Sequence, residues 1–349
     1  MSFSVPTIDI SAYTGHGTAD DRAVVAEQID HACREVGFIQ IVGHGIPDDV
    51  LSGLGTAMDD FFDLSLHEKK TYVRPRTENR GYSAPRSESL SLSLGVESAS
   101  RMADFFEAFN VGRGLADHPG LVLPDPGTAQ HYADNTWPAV AGFEPRVAAY
   151  VDEAERVAET MVTIFADALG LPSDFFEDVT SHSINVLRMN NYALPAGTDV
   201  TLDGDLTGMG EHTDFGIVTV LWADQVRGLQ VLAADHTWHD VSPADGALLI
   251  NLGDLMARWT NERWMSTLHR VKPPIVDGTI QRRRSAAFFH DGNADALVTT
   301  FASCVDADHP DLYTPVTVAE HIEAKLAGSR AGTVNTSAER EARRVLQAR

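Results

Sequence analysis

Between residues 183 and 290 the chain breaks into short alternating runs, and this rhythm restricts the fold more than any other feature. "SINVLRMNNYAL", "GIVTVLWA", "GLQVLA", "TWHDVSP", "GALLINLG", "STLHRVKPP" and "RRRSAAFFH" follow one another at spacings of about 8 to 15 residues. Gly, Pro, Asp and Asn punctuate them. Short strands in such succession build an antiparallel sandwich or barrel. No internal repeat of propeller or solenoid length accompanies them.

The first half reads differently. "VPTIDI" alternates as a short strand, and "TADDRAVVAEQIDHACREVG" then repeats apolar residues at helical spacing, with Thr18 or Asp20 as N-cap and Gly37 as the stop. "FIQIVGHGI" reads as a strand ending in a glycine turn, and a helix follows with Pro47 near its start. Residues 83–101, "SAPRSESLSLSLGVESASR", have the composition of an exposed loop, lid or linker. A long helix is predicted over 139–169, closing at Gly170 with Pro172 beyond. The expected organisation is a helix-rich region at 1–120, a supporting helical segment at 121–180, a β core at 181–300, and a helical segment and tail at 301–349.

Among 349 residues, Lys and Arg total 27 against 50 Asp and Glu, a formal charge of −23. Such a surplus opposes phosphate backbones and anionic lipid, so neither nucleic acid nor membrane is expected as a partner. The two cysteines, Cys33 and Cys304, form no framework, and no apolar stretch is long enough to span a bilayer. These features predict a cytoplasmic protein; a monomer or weak homo-oligomer is expected.

The chemistry is sought in "GEHTDFGIVTVLWA", residues 210–223. If 212–220 is extended, His212 and Asp214 share a face. An imidazole and a carboxylate on one face need one further histidine to complete the two-histidine, one-carboxylate triad that leaves half the coordination sphere of Fe(II) open. His269, in "MSTLHRVKPP", is the candidate because "RRRS" follows it. There Arg283 and Ser285 share a face and offer a fixed cation and a hydroxyl to a carboxylate, while Arg284 points the other way.

The ordered set His-x-Asp, about 55 residues, His, then Arg-x-Ser resembles the isopenicillin N synthase-like family of Fe(II)/2-oxoglutarate dioxygenases. "VPTIDIS", "VGFIQIVGHGI", "RGY", "DFFEAFNVG", "NTWP", "GLQVL", "VSPADGALLINLGD" and "WTNERWMSTLHRV" extend the resemblance over roughly residues 5–325. Two departures stand out: Gly43 occupies the place of the usual Asn, and Arg284 that of an apolar or aromatic residue.

The resemblance implies a mainly β fold with flanking helices, a double-stranded β-helix (jelly-roll) core behind a helical N-terminal region. It implies that His212, Asp214 and His269 hold Fe(II) and that Arg283 and Ser285 bind the distal carboxylate of 2-oxoglutarate. Asn190 and Tyr192 would help hold this cosubstrate, or else form a structural strand-end pair. With O2, the reaction would hydroxylate, desaturate or cyclise a small metabolite and release succinate and CO2. Candidates for the substrate wall are Phe215, Arg86, Arg101 and Phe105, the arginines chosen because a small acidic substrate needs a cation. Three other readings stay open: an Fe(II) oxidase that dispenses with 2-oxoglutarate and grips its substrate through Arg283 and Ser285, a non-catalytic jelly-roll binding protein, and a zinc hydrolase. The last leaves the Arg-x-Ser pair without a purpose.

Overall fold

The computed structural model describes residues 3–94, 104–123, 125–193, 208–273, 275–276, 279–331, 335, 340 and 343. Its strands are β1 (Thr7–Asp9), β2 (Phe38–Val42), β3 (Gly81–Ser83), β4 (Glu107–Gly112), β5 (Val186–Tyr192), β6 (Met209–His212), β7 (Val218–Ala223) and β8 (Leu229–Leu232). They continue as β9 (Trp238–Asp240), β10 (Leu248–Leu252), β11 (His269–Val271), β12 (Ile275–Val276), β13 (Thr279–Ile280), β14 (Arg283–His290), β15 (Leu297–Val298) and β16 (Val316–Thr317). The helices are α1 (Ser11–Thr14), α2 (Ala19–Glu35), α3 (Asp48–Phe62), α4 (Leu66–Lys70), α5 (Phe143–Leu169), α6 (Glu177–Thr180), α7 (Asp254–Trp259) and α8 (Val318–Ala331).

Two sheets face each other as a jelly roll. The larger runs β1-β2-β10-β7-β14-β5-β4-β3 and the smaller β6-β11-β8-β9. The β1–β2 pair is parallel, and the pairs β2–β10, β10–β7, β7–β14, β14–β5, β5–β4 and β4–β3 are antiparallel. Alternation along the central strands divides the chemistry between two faces. Leu187 and Met189 of β5, Val218 and Val220 of β7, Leu248 and Ile250 of β10, and Ala286 and Phe288 of β14 join the main apolar core with α2, α3 and α5. Their neighbours in sequence, Arg188 and Asn190, Thr219, Asn251, and Arg283 and Ser285, line the cavity between the sheets.

Helix α5 backs the larger sheet and carries twelve buried residues, among them Phe165. Truncating a fully buried Phe costs about 3–5 kcal/mol, so Phe165→Ala alone would remove a large share of the stability typical of one domain. The helix begins at Phe143, four residues later than 139, because Gly142 takes a left-handed conformation; it ends at Gly170 as expected. Thr18 caps α2 in a reciprocal box with Asp21. Gly43, the departure from the family's Asn, has φ +69°, and any Cβ there would stand 2.3 Å from Asp9 Oδ1.

The serine-rich segment corrects its composition. Ser91, Ser93 and Leu94 are buried in a 3-10 turn (Leu90–Leu94), so this part is no exposed linker; residues 95–101 of the segment lie outside the described residues. Ser91 sits tightly against β6, where a Cβ on Gly210 would approach its Oγ to 2.4 Å. No helix among the described residues is long and apolar enough to cross a membrane.

Candidate active site

Strand β6 pairs antiparallel with β11 so that His212 stands directly opposite His269. This register brings together two side chains 57 positions apart, with ring centroids 4.2 Å from each other. Asp214 arrives by a different route from the one expected. β6 ends at His212, and residues 213–217 form the connection that crosses to β7, so His212 and Asp214 are not alternate positions of one strand. The connection instead turns the carboxylate back: Asp214 Oδ1 lies 3.9 Å from His212 Nε2 and 3.7 Å from His269 Nε2. Among the described residues these three are the one group of His, Cys, Asp or Glu gathered within 4.8 Å.

The hydrogen bonds around the triad fix which atoms face its centre. His212 Nδ1 donates to Gly210 O at 2.7 Å and His269 Nδ1 to Thr267 O at 3.1 Å. A carbonyl can only accept, so both rings are held with Nδ1 protonated and the Nε2 lone pair turned inward. Thr219 Oγ1 and Asn251 Nδ2 both donate to Asp214 Oδ2, at 2.5 and 2.7 Å, leaving Oδ1 for the centre. Burial, with the neighbouring His269 adding to it, pushes His212 down to about 3, which keeps its ring neutral and a competent ligand. Two imidazole nitrogens and one carboxylate oxygen on one side of a cavity fit a six-coordinate Fe(II) with three positions open, and among the described residues no fourth His, Cys, Asp or Glu joins them to close a tetrahedral site.

A second polar group lies along β14 and β5. Arg283 pairs across the strands with Tyr192 and Ser285 with Asn190, so the four residues form one patch on the cavity face. The Arg283 guanidinium is 2% exposed and packs over the Tyr192 ring at 5.2 Å, donating to Ser285 Oγ at 3.3 Å. Its Nε has no hydrogen-bond partner, and no carboxylate pairs with it among the described residues. A buried cation without an anion is costly, so the site suits a ligand carboxylate. Burial also pushes the Tyr192 phenol up to about 12.

Both groups open into a cavity with about 970 Å³ of empty space, part of it continuous with solvent. Phe215 lines it. Two other expectations are corrected. Arg86 is exposed in a left-handed turn with φ +65° and stays off the cavity wall. Phe105 is buried behind the wall in a second apolar cluster, edge-on to Tyr192 at 6.4 Å. Arg101 lies outside the described residues. Arg284 does point away, to Asp59 at 2.7 Å and Asp224 at 3.5 Å.

Sequence reasoning missed the cavity's other cations, Arg188 and Arg330, and the carboxylate between them, Glu88. Arg188 had a signal: it alternates with Asn190 and Tyr192 on β5. Helix α8, which contributes Ile322, Leu326, Ser329 and Arg330 to the wall, had none. That helix is anchored under the site by Lys325, which is 1% exposed, with Nζ 2.6 Å from Asp254 Oδ2 and donating to Thr213 Oγ1 at 3.2 Å.

Known proteins share this chain's sequence and fold. Residues 5–140 match the family model described as non-haem dioxygenase in morphine synthesis N-terminal, and residues 184–292 match 2OG-Fe(II) oxygenase superfamily. The chain is 32% identical to a 2-oxoglutarate-Fe(II) type oxidoreductase, hxnY, of Emericella nidulans, over 91% of this chain and 88% of the relative. It is 32% identical to validamycin A dioxygenase of Streptomyces hygroscopicus subsp. limoneus, over 87% and 81%. Full-length T7H of Neurospora crassa, solved with alpha-KG and 5-formyluracil, superposes with a TM-score of 0.77 at 25% identity, over 93% of this chain and 96% of that one.

Proposed function

The chain belongs to the 2OG-Fe(II) oxygenase superfamily, and from that premise we propose that His212, Asp214 and His269 hold the iron while Arg283 and Ser285 hold the far carboxylate of 2-oxoglutarate. The activity is that of a 2-oxoglutarate-dependent Fe(II) oxygenase on small metabolites, with O2 as oxidant. When bound, the iron and the oxo acid supply oxygen activation, and the oxo acid leaves as succinate and CO2.

The observation that carries the assignment is the division of labour at Asp214. One oxygen is committed to Thr219 and Asn251, and the other meets two inward-facing imidazole nitrogens. A carboxylate clamped in this way has one orientation to offer a metal, which is the preorganisation a ligand needs. Arg283 and Ser285 orient the oxo acid from its far end, and Tyr192 and Asn190 complete the floor beneath it. Leu90, Phe215, Phe289, Ile322 and Leu326 supply the apolar wall that excludes water from the reacting centre. The acidic, membrane-span-free chain with two free cysteines suits a cytoplasmic protein, monomeric or weakly associating.

The test is stoichiometry. Protein loaded with Fe(II) and 2-oxoglutarate without O2, then exposed to O2 with candidate metabolites, is expected to form one succinate for each metabolite oxidised. Oxidation that proceeds equally well with no 2-oxoglutarate would contradict the role given to Arg283 and Ser285.

A further inference from the structure

Arg188, Arg330 and Glu88 form a buried charged cluster on the cavity wall, linked to the Arg283 patch through Asn190. Arg188 stands across from Ala287 and Arg283 across from Tyr192, four residues apart on β14. At the rise of an antiparallel strand their backbones are roughly 13 Å apart along the sheet, so the two cations are rooted at different stations of the wall. Glu88 Oε2 pairs with Arg188 Nη2 at 3.0 Å and Oε1 with Arg330 Nε at 3.6 Å; both guanidiniums are 9% exposed. Two cations therefore share one carboxylate. Asp104, the nearby acid, makes no ion pair with either: its oxygens accept from Leu90 N and Gly210 N, and burial pushes it up to about 7 although Arg188 opposes this electrostatically.

The side-chain amides around this cluster are all turned the same way. Asn190 Oδ1 accepts from Arg188 Nε at 3.3 Å, and Asn110 Oδ1 from Arg188 Nη1 at 3.4 Å. Asn79 Oδ1 accepts from Asn110 Nδ2 at 2.8 Å and from Arg330 Nη2. Guanidinium groups only donate, so they draw every amide oxygen of the group toward themselves. Glu88 is similarly occupied, accepting from Ser83 Oγ at 2.9 Å as well. Left without partners among the described residues are donors: the NH2 groups of Asn79 and Asn190 and the unused N–H groups of Arg188. The wall presents donors and one surplus positive charge, flanked by Leu90, Leu326 and Phe289.

We propose that this cluster is the substrate's anion subsite, and that the metabolite oxidised is a small molecule bearing a carboxylate on an apolar body. The cavity then takes two acids, the oxo acid at Arg283 and the substrate at Arg188 and Arg330. This rests on the oxygenase reading, which fixes where the cosubstrate lies. A neutral or cationic substrate would find its acceptor partners already spent and would leave the surplus charge buried and unpaired.

Equilibrium dialysis without O2 tests this independently of turnover, using protein saturated with Fe(II) and 2-oxoglutarate. The probes are benzoate, phenylacetate and cyclohexanecarboxylate, each set against its own primary amide. The unaltered protein is expected to hold at least one acid about tenfold or more tightly than its amide, the least that a buried guanidinium–carboxylate pair contributes. Arg188→Gln and Arg330→Gln are each expected to erase that preference, and Arg330→Lys to restore part of it. Amides held as tightly as acids, acids not held at all, or a preference that survives both Gln variants would overturn the proposal. The oxygenase reading fails separately, on absent succinate.

Discussion

Asp214 and Asn251 are joined by a 2.7 Å hydrogen bond from the Asn251 amide to the carboxylate oxygen that faces away from His212 and His269. Asn251 sits on β10, opposite Thr219 of β7, whose hydroxyl donates to the same oxygen. The metal-facing oxygen is thus aimed by two neighbouring strands of the larger sheet, while both histidines come from the smaller one. Asn251→Ala is expected to weaken Fe(II) binding by about 10–100-fold, the usual cost of losing such a support. Anaerobic Fe(II) titration measures it, and an unchanged dissociation constant would show that the aiming is unnecessary.

Arg283→Ala is expected to raise the concentration of 2-oxoglutarate needed for half-maximal succinate formation. The loss corresponds to about 2–5 kcal/mol, since a buried carboxylate would be left without its cation. Arg283→Lys should recover little, because the guanidinium carbon sits 5.2 Å over the Tyr192 ring while the same group donates to Ser285, and an ammonium cannot reproduce both contacts. A half-maximal concentration that does not move would remove Arg283 from the cosubstrate site.

Lys325 and Asp254 tie α8 to the backbone beside the metal group, because Asp254 N also donates to Asp214 O at 2.9 Å. Removing one member of a buried ion pair typically costs about 3–5 kcal/mol, so Lys325→Met is expected to lower the urea midpoint clearly. Burial alone would push the Asp254 carboxyl up, but Lys325 and His321 override it and hold the group well below the ordinary carboxylate range. The sign follows from the depressed native value. Below the unfolded value of about 4 the unfolded chain binds the proton first, so the pair's contribution is whole above pH 5 and drains away as the pH falls. Urea midpoints measured from pH 6 downward should fall more steeply for the unaltered protein than for Lys325→Met; parallel curves would contradict the pairing.

Gly253 and Gly216 cross at the corner where the Asp214 connection meets α7. A Cβ on Gly253 would stand 2.1 Å from Gly216 O, and one on Gly216 would stand 1.9 Å from Asp291 Oδ1. Neither backbone can yield without moving Asp214. Gly253→Ala is therefore expected to cost about 1–3 kcal/mol of stability and to weaken Fe(II) binding as well. Thermal unfolding and Fe(II) titration check the two effects, and a variant with native metal affinity would show that the corner is slack.

Much of this fold and site was legible from local pattern. Period-two alternation identified Arg283 and Ser285 as one face and Arg284 as the other, because β14 is long and regular. The same rule gave Asp214 the right company for the wrong reason: β6 stops at His212, and the carboxylate is delivered by a turn that no periodicity describes. Arg188 was overlooked although it shares its face with Asn190 and Tyr192, since a lone arginine in an apolar strand signals nothing until Glu88 and Arg330 stand beside it. Those partners come from a serine-rich turn and from the C-terminal helix. Ser91 and Ser93 read as solvent-facing by composition, yet small hydroxyl residues are buried readily where another backbone needs close approach, as β6 does. Long-range packing of this kind leaves no trace in spacing.

The central claim is that three side chains and one iron make the active centre. The most direct measurement is bound iron per chain after anaerobic Fe(II) loading, set beside 2-oxoglutarate-dependent succinate formation, in the unaltered protein and in Asp214→Ala. The expected result is one iron and steady succinate formation in the former, with both lost in a variant whose circular dichroism is unchanged. An Asp214→Ala protein that keeps its iron and its succinate formation would contradict the claim.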